Sequence, residues 1–346
     1  MNRFIFRLLI FLFITSLQFS YSEAAVKEDS LAKTVFRAAI DIGSGATKLR
    51  IAEVDPLENR VKKIVLDEAF TVPYQEHLER SKDFSFDNVV KEIGLEAMKK
   101  CKEISSKYRV SKIIGVATES FRKAKNAGEF IQEIYKQTGI EVYVVDQDLE
   151  GKLAFKAVSA QMNIPDSQII AWDIGGGSLQ FTSSTPSGEY MIYRGNYASI
   201  PFKNDVIKSI QKKNPEKIAS PNPMTEEEIC LARFKGKKAV FDFPHDLLKK
   251  INKKDSVVVG VGSIFNYRIF PLVKKHSPYQ REELVQAVKD LKNQTDLDVG
   301  GGDFASVAVT NPILILGFME MLGIDQMEIL DVNNADGSFL YQDFWK

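Results

Sequence analysis

Residues 38–48 read AAIDIGSGATK, an apolar run that carries an aspartate, Asp41, and breaks at Gly43-Ser44-Gly45. Apolar positions resume from Thr47 to Val54, and a third extended run, Val61 to Phe70, follows the turn residues Asp55-Pro56. This spacing predicts three strands joined by tight turns rather than a helix. The opening recurs at 171–181, AWDIGGGSLQF: an offset of 132 residues places Ala39, Asp41, Ile42 and Gly43 on Ala171, Asp173, Ile174 and Gly175, Gly45 on Gly177 and Leu49 on Phe181. Such an internal repeat predicts two similar lobes, each opening with a glycine hairpin that carries an aspartate.

Outward from the first hairpin, Val89, Val90, Ile93, Ala97, Met98, Cys101 and Ile104 recur at helical spacing. Lys112 to Val116 is expected as a strand, Phe130 to Tyr135 as part of a helix and Ile140 to Val145 as a strand, so the first lobe is an α/β unit with a mixed sheet. Asp148 to Gln161 predicts a helix between the lobes. After the second hairpin come helices near Lys203 to Lys212 and Met224 to Phe234, and a strand, Ser256 to Val259, running into Gly260-Val261-Gly262-Ser263. The last third predicts a helix at Glu282 to Asn293, the run Gly300 to Gly302, an apolar helix at Pro312 to Met321, a strand at Met327 to Val332 and a closing helix from Gly337. The expected domains are residues 36–148 with 331–346 as lobe I and 149–330 as lobe II, around a cleft.

The chain has 346 residues, 46 Lys plus Arg against 46 Asp plus Glu, and 44% hydrophobic residues. Those values exclude disorder, collagen and coiled coil, and a net charge of zero argues against a nucleic-acid coat or a polybasic membrane binder. Arg3 and Arg7 precede the apolar run Leu8 to Ile14, and Ser22-Glu23-Ala24 resembles a cleavage site, so residues 1–24 are expected to be a secretory signal peptide. The alternative is an uncleaved anchor from Phe4 to Tyr21. No later stretch is expected to span a bilayer, which needs about 20 apolar residues on a helix. The mature protein is then expected in the periplasm or outside the cell. Cys101 and Cys230 fall in different lobes and are expected to be buried free thiols, and His77, His245 and His276 lack zinc-site spacing.

Hairpins with two or three glycines let backbone N–H groups approach an anion, because missing Cβ atoms remove steric blocking and permit positive φ. Phosphate is the usual guest; the alternative is a tight turn with no ligand. Asp41 and Asp173 end apolar strands, where a carboxylate needs a cation or donors, such as Mg²⁺ or a metal-bound water.

Five ordered motifs carry a specific resemblance: AAIDIGSGATK at 38–48, ATESFRKAKNAGEF at 117–130, VVDQDLEGKLAF at 144–155, AWDIGGGSLQF at 171–181 and VGVGS at 259–263. Together with the closing DGSFLYQDF they resemble the exopolyphosphatase and guanosine pentaphosphate phosphatase (Ppx/GppA) family. The resemblance implies an α/β fold of two duplicated ribonuclease H-like lobes, as in the actin-like ATPase superfamily, with an inter-lobe cleft. It implies that Gly43, Ser44, Gly45 and Thr47, Gly175, Gly176, Gly177 and Ser178, and Gly262 and Ser263 bind the phosphates. Asp41 and Asp173 would be the partners of Mg²⁺ (or Mn²⁺), Arg122 would grip phosphate oxygens, and Glu150 would be the general base for an in-line water. Asn126 also matches, with a helix cap as its other role.

The chain departs from that pattern at Gln180, where the family has a glutamate, and at Gly45, Leu149 and Ser263-Ile264. A neutral amide is a weaker metal ligand than a carboxylate. Residues 203–254 hold 13 Lys plus Arg against seven acids, a patch that would attract a polyanion or merely solvate the surface. The expected activity is hydrolysis of the terminal phosphoanhydride of inorganic polyphosphate, or of another phosphoanhydride, by an exported enzyme that binds no nucleic acid and keeps no membrane span once the signal is cleaved. A homodimer stays open. The alternatives are a weak or inactive polyphosphate- or nucleotide-binding protein, favoured by Gln180, and an ATP-using nucleotidase or kinase.

Overall fold

The computed structural model describes residues 34–346, so the expected signal peptide, residues 1–24, lies outside the described residues. Strands β1 (Val35–Ile42), β2 (Ala46–Asp55) and β3 (Arg60–Thr71) form an antiparallel meander whose turns fall at the glycine and Asp-Pro breaks. Helix α1 (Tyr74–Arg80) follows, then α2 (Asn88–Ser106), which starts where the Asp87 carboxylate accepts from the Val90 N–H. Its buried stripe of Val90, Gly94, Ala97, Met98 and Cys101 keeps the helical period and covers the sheet. Strand β4 (Lys112–Ala117), the short α3 (Glu119–Lys123), α4 (Ala127–Thr138) and β5 (Glu141–Val144) complete the order β3-β2-β1-β4-β5.

Helix α5 (Gln147–Ser159) crosses to the second sheet, β6 (Ile169–Ile174), β7 (Leu179–Ser184) and β8 (Tyr190–Gly195), followed by α6 (Ser199–Asp205), α7 (Glu226–Lys238), α8 (His245–Ile251) and β9 (Val257–Val261). Then come β10 (Tyr279–Gln280), α9 (Arg281–Asp290), α10 (Thr310–Leu322), β11 (Gln326–Leu330) and α11 (Asn334–Phe339). The second order is β10-β11-β9-β6-β7-β8. Without the two-residue β10 it repeats the first, with two antiparallel pairs on one side of the leading strand and two parallel pairs on the other. The two-lobed mixed α/β expectation is met; α1, α8 and β8 are elements that the sequence did not announce.

One helix serves both sheets. Leu153 of α5 packs with Ala39, Val116, Ala335 and Phe339, whereas Ala154, Phe155 and Val158 pack with Ile169, Ala171 and Val259. Helix α11 closes on α5 so tightly that a Cβ on Gly337 would stand 2.0 Å from the Leu153 carbonyl oxygen. The start of α5 is thereby pinned at the seam between the lobes.

One expectation is qualified and another corrected. Ala305–Leu322, with mean hydropathy 1.6, is by length and composition able to cross a membrane, but 83% of it is buried inside the second lobe, so its composition reflects a core helix. Cys101 is buried and Cys230 is exposed; both are free. Cys230 lies on α7 between the inward-facing Ile229 and Ala232, on the face turned to solvent.

Candidate active site

The glycine hairpins of the two lobes meet. A Cβ on Gly176 would stand 2.7 Å from the Ser44 Cβ, and one on Gly177 would stand 2.8 Å from the Glu119 Cγ. Close approach is therefore what these positions demand. Positive φ, expected in the hairpins, is confined among the site glycines to Gly262, at 88°.

A cavity of about 610 Å³ opens where they meet. Gly43, Ser44 and Gly45 line it from the first loop, Gly175, Gly176 and Ser178 from the second, and Gly262 and Ser263 from the loop after β9. Asp41, Asp173 and Glu150 line the same cavity. Three sequence candidates stand elsewhere. Thr47 is fully buried within β2, Gly177 faces Glu119 and Gln75, and Arg122 lies behind the wall.

Glu150 reaches the cavity because the Asp146 carboxylate caps α5 by accepting from the Leu149 N–H at 2.7 Å, setting Glu150 in the first turn. Burial pushes its carboxyl up to about 8; Arg122 works against that, and the Asp173 and Asp41 carboxylates reinforce it. Arg122 Nη1 donates to Glu150 Oε2 at 2.7 Å and to the Val145 carbonyl at 2.8 Å. Its Nη2 donates to Glu119 Oε2 at 2.7 Å and to the Ser178 hydroxyl at 3.2 Å. Burial opposes the guanidinium charge, but Glu150 and Glu119 outweigh it and hold Arg122 above its usual pKa. Asn126 stands at the N-cap position of α4, as its cap reading expects, but its side chain makes no capping bond: its amide pairs with both backbone groups of Phe86, at 2.8 and 2.9 Å.

Hairpin register sets the neighbours of the two aspartates. Asp41 lies opposite Lys48, and Lys48 Nζ stands 3.4 Å from Asp41 Oδ2. Asp173 lies opposite Gln180, the repeat equivalent of Lys48. Burial and Asp41 push the Asp173 carboxyl up to about 7, with Lys48 and the neighbouring Asn334 amide working against them. Gln180 is 1% exposed, and neither amide atom has a hydrogen-bond partner among the described residues. It sits against α5, its Cβ 3.4 Å from the position a Gly151 Cβ would take.

Asp41 and Asp173 are the cavity residues that could hold a divalent cation. Among the described residues, no three His, Cys, Asp or Glu side chains form a metal-binding group. Asp41 Oδ1 is buried and without a partner among them. One unpartnered oxygen on Asp41, with Asp173 lining the same cavity, is the sparse kind of donor set Mg²⁺ uses, since it is commonly held by one or two carboxylates, waters and substrate phosphates rather than by a full protein cage.

Other wall residues carry no signal of their own in the sequence. Arg268 has no carboxylate partner among the described salt bridges and lies with its guanidinium 5.7 Å from the Phe304 ring. Asn311, Asn333 and Asn334 come from the last third of the chain. Lys48 could have been found, because a tight hairpin after Asp41 places it opposite. Among nearby acids, Asp303 lines the cavity, Asp148 pairs with Arg194, and the Asp298 carboxylate accepts from the Thr295 N–H.

Residues 50–189 match the model of the Ppx/GppA phosphatase family. The chain is 31% identical over 180 residues to the bifunctional 3-dehydroquinate synthase/phosphatase of Fusobacterium nucleatum, covering 48% of this chain and 27% of that protein. It is 32% identical over 73 residues to exopolyphosphatase 1 of Mycobacterium tuberculosis, 21% of each. The chain thus spans about a quarter of the length of these curated relatives. Among solved structures, the Aquifex aeolicus Ppx/GppA enzyme superposes with a TM-score of 0.67 at 19% identity, over 89% of this chain and 99% of that one. An exopolyphosphatase from Cytophaga hutchinsonii gives 0.70 at 19% identity, over 89% and 97%. At that identity they establish the common fold, and the resemblance read from the motifs stands.

Proposed function

From a chain that carries the Ppx/GppA phosphatase pattern over residues 50–189 on the fold of solved members of that family, we propose an exported hydrolase acting on the terminal phosphoanhydride of inorganic polyphosphate or a related phosphoanhydride. One observation carries the proposal: loops from both lobes and the carboxylates of Asp41, Asp173 and Glu150 converge on one cavity. Relatives named as exopolyphosphatases support the substrate class.

The glycine loops would receive the terminal phosphates, their missing side chains allowing backbone N–H groups to approach. Glu150 would orient an in-line water and take its proton as oxygen attacks phosphorus. Arg122 would keep that carboxylate aimed into the cavity from behind. Asp41 and Asp173 would hold Mg²⁺ or Mn²⁺, which when bound neutralises phosphate charge. Export, read from Arg3 to Ala24, favours polyphosphate over cytoplasmic nucleotides.

A second reading, phosphate-chain binding without turnover, is favoured by the neutral Gln180 opposite Asp173. The test is phosphate release from polyphosphate by the mature protein with Mg²⁺ or Mn²⁺, compared with Glu150→Gln. Release that the substitution abolishes supports hydrolysis. Tight binding with no release selects the second reading, and release from ATP alone selects a nucleotidase.

A further inference from the structure

The segment joining β11 to α11 carries the chain from the second sheet back to the first, and together with the first residue of α11 it contributes Asn333 and Asn334 to the cavity wall. β11 ends at Leu330, so this crossing has no ladder to hold it. Its backbone bonds are few: Gly262 N–H donates to the Val332 carbonyl at 3.1 Å, and Val332 N–H to that of Leu330.

Side chains supply the rest, through Arg50. This residue follows Lys48 on the same face of β2, and its side chain is 5% exposed. Nη1 donates to Asp336 Oδ2 at 2.5 Å and to the Asp331 carbonyl at 3.1 Å. Nη2 donates to Asp67 Oδ2 at 2.7 Å and to Asp331 Oδ1 at 3.2 Å. Asp331 and Asp336 bracket the two asparagines. Asp336 Oδ2 also accepts from the Asn333 N–H at 2.7 Å, and Asp331 Oδ1 from Asn266 of the second lobe at 3.0 Å. One guanidinium thus holds three carboxylates together and grips the crossing at both ends. A lysine ammonium lacks the planar fork needed to do so.

We propose that Arg50 is a positioning residue that sets where Asn333 and Asn334 stand in the cleft. Its consequence for turnover rests on the hydrolase reading above; its hold on the crossing does not.

The test uses Arg50→Lys and Asp331→Asn in the full mature chain. Asp331 is 65% exposed, so its replacement leaves the buried Arg50–Asp336 pair intact and keeps the protein folded where Arg50→Lys fails. Hydrogen exchange at 331–335 is expected to rise about tenfold in each folded variant, with β1 and β6 unchanged. Phosphate release is expected to show a kcat about tenfold lower at a nearly constant KM. Unchanged exchange at 331–335, or raised exchange with kcat untouched, overturns the proposal. If the parent protein releases no phosphate, the hydrolase reading falls separately, and the exchange comparison alone decides whether Arg50 holds the crossing.

Discussion

Arg122 donates to the Glu150 carboxylate across 2.7 Å, and this contact ties the end of the first sheet to the first turn of the helix shared by both lobes. The same guanidinium touches Ser178 of the second phosphate-type loop. Arg122, expected to grip phosphate oxygens, is not among the residues lining the cavity; it holds a carboxylate and a loop that are.

If Glu150 takes the proton of the attacking water, Glu150→Gln keeps the shape and removes the base. Phosphate release should fall about 10²- to 10⁴-fold, while polyphosphate binding stays close to that of the parent. Single-turnover release with calorimetric binding on the same samples checks both halves. Equal release rates would remove Glu150 from the chemistry.

Replacing Arg122 by glutamine leaves Glu150 buried without a cation, while Glu119 keeps its pair with Lys123 at 2.6 Å. A loss of about 3 kcal/mol in urea unfolding is expected, as for one partner removed from a buried ion pair. In Arg122→Gln/Glu150→Gln the damage should be partly repaired, with about 1–3 kcal/mol of coupling in a double-mutant cycle. Strict additivity would contradict the contact.

Gln180→Glu puts a carboxylate opposite Asp173, in a site where the present amide has no partner among the described residues. Without metal the variant should melt below the parent, because burying another negative charge beside Asp173 is unfavourable. Mg²⁺ should then raise its melting temperature more than that of the parent, by linkage to the tighter-binding form. Thermal melts in EDTA and in Mg²⁺ decide; identical shifts would exclude position 180 from the metal site, and no shift in either protein would count against Asp41 and Asp173 as its partners.

The two thiols should separate cleanly under native labelling. Cys230 is exposed, while Cys101 is buried on α2 with its thiol pushed up to about 12 by burial. Intact-mass analysis after brief maleimide treatment should show one adduct, with the second only on unfolding. Two rapid adducts would mean that α2 opens readily.

Much of the fold was legible locally. The runs around Asp41 and Asp173 forecast hairpins because glycine breaks and apolar periodicity act over a few residues, and their repetition forecast two lobes. The asparagines at 333 and 334 sit far from any loop motif and look like ordinary capping residues; Asn333 does cap α11, yet the chain crossing also carries it into the cleft. Arg50 likewise looks like a surface charge on a strand. Its burial follows from Asp67 on the neighbouring strand and from two aspartates that the chain brings back from about 280 residues away.

By itself the sequence determined the two hairpins, the placement of Glu150 in the first turn of a helix between them, and the family likeness, since each depends on short-range pattern. Tertiary structure decided which of those residues face the cavity. Thr47, Gly177 and Arg122 belong to the right motifs but point into packing, because a strand has two faces and a loop pressed against another lobe has only one side left for a ligand.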